Sequence, residues 1–377
     1  MTWTRKPLEE VAEFCLGKML DANKNRGQSM PYLANINVRW GRFDLDDLRQ
    51  MRFEEKELDR FGLSSGDIVM CEGGEPGRCA IWQDQLPGMM FQKALHRIRP
   101  HGEIDSRFLF YLFLKMGRND EFAGLFTGST IKHLPKEKLA KVVVAFPEIV
   151  LQQRIAAVLS RYDDLIENNR RRITLLEQAA QLLYEEWFVR FRFPGHERAK
   201  FISGLPEGWE QRKLGSILTL QRGFDLPSAS RIDGDVPVYG STGVLDHHNV
   251  SKVTVPTVIT GRSGSLGQVC YADQPCWPLN TCLWVKEFKG VSPYFAYHLL
   301  KAMDLSRMNG GASVPTLDRK AVHRVDVVLP SGAVLSQFDE YVGNIFSGRK
   351  ILDQQNEKLV QARDLLLPRL MSGEVEV

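Results

Sequence analysis

The sequence predicts an α+β fold: two copies of one α+β domain, each followed by a long helix, with the two helices packing on each other. Three observations predict it. Short motifs recur in the same order in both halves of the 377 residues. Each half carries short β-branched runs bounded by glycine and proline, as strands are. Each half then runs into about 40 residues whose core positions alternate in steps of four and three, the pattern of a coiled-coil seam.

The repeat is collinear. Trp3 to Leu8 corresponds to Trp209 to Leu214, and Pro31 to Val38 corresponds to Pro237 to Val244, both 206 residues on. Asp67 to Gly77 then corresponds to Thr257 to Gly267 at an offset of 190. Gly128 to Ile131 matches Gly311 to Val314, and Val142 to Pro147 matches Val325 to Pro330, both at 183. The drop of 16 before the third match places an insertion in the first copy, at the charged segment 39–66. Strands are expected within Asp67 to Met70, Lys141 to Ala145, Val255 to Thr260 and Arg324 to Leu329, and helices at Ser106 to Met116 and Ser292 to Met303.

The first long helix has its seam at Ile155, Leu159, Tyr162, Ile166, Asn169, Ile173, Leu176, Ala180, Leu183 and Trp187. The second has Phe338, Val342, Ile345, Arg349, Leu352, Asn356, Leu359, Arg363 and Leu366, weakened by Gly343 and Gly348. Each helix would run roughly 60 Å, too long to bury its own stripe. The expected division is a first domain at 1–147, a helix at 148–192, a linker at 193–204, a second domain at 205–331, a helix at 332–373 and a tail at 374–377.

Apolar residues make up 43% and charged residues 25%, which suits globular cores. No apolar run approaches the ~20 residues of a membrane span, and no apolar stretch follows the first charges, so a cytoplasmic protein without membrane association is expected. The six cysteines lack C-x2-C spacing and read as reduced thiols, mostly buried.

The residues offer no reaction centre. There is no Pro-Pro dipeptide, hence no Asn/Asp-Pro-Pro-aromatic methyltransferase motif, and no P-loop. The glycine-rich segments Gly73 to Gly77 and Gly261 to Gly267 read as loops between strands. His247 and His248 read as a solvated turn, and Met89, Met90 and the aromatic run Phe108 to Phe113 as core. Asp273, Glu287 and Lys289 compose a nuclease-like set only if forced together, and the first copy lacks them. No catalytic residue and no metal site is assigned, and the reading becomes one of binding.

For nucleic acid, the candidates are polar residues of loops, because arginine and lysine read guanine, asparagine and glutamine read adenine, and hydroxyls and cations hold phosphates. The first copy offers Lys24, Arg26, Gln28, Tyr32, Asn35, Asn37, Arg39, Ser129, Thr130 and Lys132. The second offers Arg222, Arg231, Tyr239, Ser241, Arg262, Ser263, Ser265, Ser313 and Thr316.

The layout resembles the specificity subunit of a Type I restriction–modification system. The resemblance rests on Leu151-Gln-Gln-Arg-Ile-Ala-Ala-Val-Leu-Ser160, Ile166-Glu-Asn-Asn-Arg170, Leu182-Leu-Tyr-Glu-Glu-Trp-Phe188, Leu205-Pro-Glu-Gly-Trp209 and the string from Arg363 to Gly373. It implies two target-recognition domains joined by an antiparallel coiled coil, in a non-catalytic subunit. Each domain would read one half of an asymmetric bipartite site on double-stranded DNA. The helices would dock two methyltransferase subunits, which use S-adenosylmethionine, and motor-nuclease subunits would use ATP and Mg2+. Dissimilar loop residues, such as Asn35 against Ser241 and Glu72 against Arg262, imply dissimilar half-sites. A coiled-coil scaffold without DNA readout and a metal-dependent nuclease are the alternative readings.

Overall fold

The computed structural model describes residues 3–21, 25–310 and 315–377. The chain divides into two compact units, Met1–Asn169 with Gln354–Val377, and Arg170–Asp353, so each long helix contributes to both.

In the first unit a four-stranded antiparallel sheet takes the order Ala12–Leu16, Leu95–Pro100, Ile68–Cys71, Cys79–Ile81. The Ile68–Cys71 strand is buried throughout because the sheet is covered on both faces. Ile68 and Met70 join a core with the helix Ser106–Arg118, while Val69 and Cys71 face a second core with Leu33, Met51, Phe53 and Phe91. That accounts for an unbroken apolar run where a half-exposed strand would alternate. The second core is closed by a three-stranded sheet in which Gln28–Leu33 lies between Arg49–Phe53, antiparallel, and Met90–Phe91, parallel. Thr4–Pro7 pairs with Val143–Phe146 and ties the start of the domain to its end. The helix begins where the Asp105 side chain accepts hydrogen bonds from the Arg107 and Phe108 N–H groups.

The second unit repeats this plan strand for strand. Its four-stranded sheet runs Leu218–Arg222, Cys282–Phe288, Thr257–Gly261, Val269–Ala272, and its three-stranded sheet has Val236–Gly240 between Gly243–His248 and Trp277–Pro278. Glu210–Lys213 pairs with Asp326–Leu329, and Ser292 caps the helix Pro293–Ala302 by accepting from the Phe295 N–H at 3.0 Å. The repeat is thus one of topology as well as of motif. The insertion in the first copy occupies two places: the hairpin connection between Leu33 and Arg49, against a two-residue turn in the second copy, and the helix Glu55–Phe61.

The long helices span Ile149–Tyr184, continued by a wide turn at Glu185–Val189, and Gly332–Met371. In the first unit the Asn169 amide donates to Asn356 Oδ1 at 3.1 Å, and Arg363 pairs with Asp163. In the second unit Arg349 pairs with Glu177 at 3.2 Å, and the rings of Tyr184 and Phe188 meet Phe338. In each unit one number rises as its partner falls, so the helices run antiparallel. Ile155, Leu159, Ile166, Asn169, Phe338, Val342 and Leu352 are buried, whereas Tyr162, Ile173, Leu176, Leu183, Ile345, Asn356, Leu359 and Leu366 are half-buried. Each polar interruption of the expected seam has a partner on the other helix.

Polar pairs at such positions set register at little net stability. Replacing Asn169 and Asn356 together with leucine is expected to leave the melting temperature unchanged or raised. Asn169→Leu alone, which leaves the Asn356 side chain beside an apolar group, is expected to cost about 1 kcal/mol. Thermal melts of the single and double variants decide this, and a double variant weaker than the single one would contradict it.

Three expectations change. Segment 193–204 is not a free linker: Phe193 is buried against Trp209 with ring centroids 5.0 Å apart, and Phe201–Ile202 pairs with Leu205–Pro206. His247 and His248 lie on the strand Gly243–His248 rather than in a turn, and the His248 ring accepts from the Ile232 N–H at 3.0 Å. The seam ends on Leu367 and Leu370, both fully buried, more than on Leu366, because these two face the first unit's core. Among the described residues no helix is long and apolar enough to cross a membrane.

Candidate nucleic-acid interface

In each unit three loops, far apart in sequence, meet at the end of the four-stranded sheet. In the second unit the strand Thr257–Gly261 leads into loop 262–267. The Arg262 N–H donates to Thr281 O at 2.8 Å, and the Arg262 carbonyl accepts from the Leu317 N–H at 2.8 Å. Ser263 bridges to Thr316, and Ser241 packs against Gly261 from the third loop. Arg222, Arg262, Thr316 and Arg319 line a shallow depression of about 340 Å³ there.

The first unit makes the same arrangement from different side chains. The Glu72 N–H donates to Ala94 O and the Glu72 carbonyl accepts from the Leu134 N–H, at 2.8 and 2.7 Å. Gly73 bridges to His133, and the Asn35 amide donates to Gly73 O at 3.4 Å. His133 Nδ1 lies 3.1 Å from both Glu72 carboxylate oxygens. Beside these loops a cavity of about 670 Å³ is lined by Trp40, Glu75, Phe122, Phe126, Thr130 and Lys132, among others.

Glycine fixes the loop path in both units. Gly74 and Gly77 have φ of +82° and +89°, and Gly264 and Gly267, 190 positions on, have +85° and +88°. Side chains are disfavoured in that region, and a Cβ on Gly74 would stand 2.4 Å from the Asn35 amide nitrogen.

Only some of the sequence-predicted residues come to these loops. Asn35, Thr130 and Lys132 in the first unit, and Arg222, Ser241, Arg262, Ser263 and Thr316 in the second, come to these loops, with Ser265 exposed on loop 262–267. Ser129 is exposed next to Thr130, whereas Arg26 and Gln28 are exposed at the start of the Gln28–Leu33 strand; Arg39 is paired with Asp44 and Arg231 with Asp246. Lys24 and Ser313 lie outside the described residues.

Three candidates are corrected by burial. Tyr32 and Tyr239 are 4% and 8% exposed and belong to the cores under the three-stranded sheets. Asn37, 4% exposed, accepts from the Ala34 N–H and donates to Asp44 O and Asp47 O, so it holds its own loop together. Sequence reasoning missed Arg319, whose only signal was a basic pair, Arg319-Lys320, directly after the capping Asp318.

The nuclease-like trio is not assembled. Asp273 pairs with Lys350, Glu287 accepts from Thr219, and Lys289 donates to Gly215 O. Among the described residues no group of three or more His, Cys, Asp or Glu side chains is placed to hold a metal.

The sequence profile described as the Type I restriction modification DNA specificity domain matches residues 1–178 and 206–339. The Type I restriction enzyme MjaIX specificity subunit of Methanocaldococcus jannaschii is 25% identical, with 100% of this chain and 94% of that one aligned. The HindI specificity subunit of Haemophilus influenzae is 20% identical over 98% of this chain and 100% of its own. Among solved structures, the S subunit of the M. genitalium Type I restriction–modification system shares the fold, with a TM-score of 0.53 and 20% identity, covering 98% of this chain and 96% of that one.

Proposed function

We propose, from the premise that this chain belongs to the Type I restriction modification DNA specificity family, that each unit reads one half of a bipartite, asymmetric site on double-stranded DNA. Members of the family are specificity subunits rather than catalytic ones. The observation that carries the reading is the three-loop arrangement, built twice on one backbone plan with different side chains. Two unlike half-sites multiply discrimination, since each mismatched pair typically costs ~1–3 kcal/mol.

The catalysis then belongs to partners. Two methyltransferase subunits, docked on the paired helices, would use S-adenosylmethionine to methylate adenine. Motor-nuclease subunits would use ATP and Mg2+ to cleave unmodified DNA. This chain's own contribution is to position base-reading groups and to hold the subunits that act.

Co-expression with a cognate methyltransferase subunit, followed by single-molecule mapping of N6-methyladenine, tests the proposal. The expected result is one asymmetric, two-part motif that disappears when this chain is omitted. A palindromic motif, or methylation that persists without the chain, would overturn it.

A further inference from the structure

We infer that the loop position shared by Glu72 and Arg262 reads a base in each unit, and that the two units present opposite hydrogen-bond chemistry there. Arg262 donates to the N7 and O6 of a guanine, and Glu72 accepts from the exocyclic amine of a cytosine. This assignment rests on the DNA-reading function proposed above and narrows it to two residues.

The backbones at the two positions are equivalent bond for bond. Each residue donates its N–H to a carbonyl on one neighbouring loop, Ala94 or Thr281, and accepts at its own carbonyl from the other, Leu134 or Leu317. With both backbone groups committed, the side chain leaves from a fixed point, as a reading residue requires. What differs is the charge it carries.

Arg262 is suited to a base rather than to an internal role. Among the described residues its guanidinium has one hydrogen bond, Nη1 to Asn280 O at 3.3 Å, and no carboxylate partner. Arg39, Arg222 and Arg231 each have one within 4 Å. The remaining guanidinium donors form the fork that matches the guanine edge. Glu72 argues from the other side. A carboxylate gains nothing from phosphates, so at a DNA-facing position it is suited to an amino donor on a base. His133, 3.1 Å away, holds it in one orientation.

The test uses the complex with the methyltransferase subunit and a set of duplexes in which each base pair of the recognised motif is replaced in turn. Arg262→Ala is expected to lose about 5- to 150-fold of the preference for one G·C pair in one half-site, leaving the other half-site unchanged. Glu72→Gln is expected to do the same for one C·G pair in the opposite half-site. Arg262→Lys, which keeps the charge, is expected to retain overall affinity while weakening the same preference.

Equal loss of affinity for every duplex would make these residues phosphate contacts and overturn the assignment, as would unchanged preferences. A half-site made only of A·T pairs in the wild-type motif would overturn it without any variant. A wild-type complex with no sequence preference at all would instead overturn the function on which the assignment rests, and the assignment with it.

Discussion

Phe338→Ala is expected to lower the unfolding free energy of the second unit by about 3–5 kcal/mol, the range for truncating a buried phenylalanine. Phe338 is 0% exposed and sits at the centre of an aromatic cluster, 4.9 Å from Phe188 and within 6.2 Å of Trp187, Tyr184 and His298 between ring centroids. The cluster ties the end of the first long helix to the start of the second and to the helix Pro293–Ala302 within that unit. Its edge-to-face pairs add to the area term. Leu365→Ala is the comparison: Leu365 is 74% exposed, and its loss is expected to stay within about 0.5 kcal/mol. Equilibrium unfolding in urea, followed by tryptophan fluorescence, checks both. Equal effects of the two replacements would show that the cluster does not hold the unit together.

Acidification is expected to weaken the same unit through His298. This ring is 1% exposed, stacks on Tyr184 and meets Gln181 Oε1 through Nδ1 at 3.1 Å, while Nε2 has no hydrogen-bond partner among the described residues. Burial, with Lys301 adding to it, lowers its pKa from the ordinary 6.5 to about 3. The native state keeps the ring neutral while the unfolded chain takes up a proton below pH 6.5, so stability present above that pH is lost as pH falls toward 3. At pH 5 the loss amounts to about 2 kcal/mol, from ~1.4 kcal/mol per unit. Thermal melts between pH 7.5 and 5, as an assay range, should show a fall that His298→Phe reduces, the remainder coming from His96 and His323, whose pKa values burial also lowers. An unchanged slope in that variant would assign the acid sensitivity to other groups.

The strings that carry the family resemblance prove to be joints. Gln152, within Leu151 to Ser160, is fully buried and donates to Glu103 O and Pro147 O while accepting from the Asp105 N–H, which pins the first long helix to its domain. Tyr184, Trp187 and Phe188 form the aromatic cluster, Trp209 packs on Phe193 and Phe188, and Arg363 makes an ion pair with Asp163. None of these residues is at the converging loops.

From the sequence by itself one could establish the repeat, the strands and helices at its core, the two long helices and the polar interruptions of their seam, though not the partners of those interruptions. All of these depend on local periodicity, on glycine and proline, or on spacing along the chain. The tertiary structure decided which polar loop residues face outward and which loops meet. Tyr32, Asn37 and Tyr239 look like surface residues in their local context; the two tyrosines are buried because a second sheet covers them, and Asn37 because its own loop closes around it through bonds to Ala34, Asp44 and Asp47. Glu72 meets His133 across 61 residues, and Asn35 meets Gly73 across 38. Such contacts follow from a strand order in which the first strand of each sheet pairs with the last, and no local signal encodes that closure.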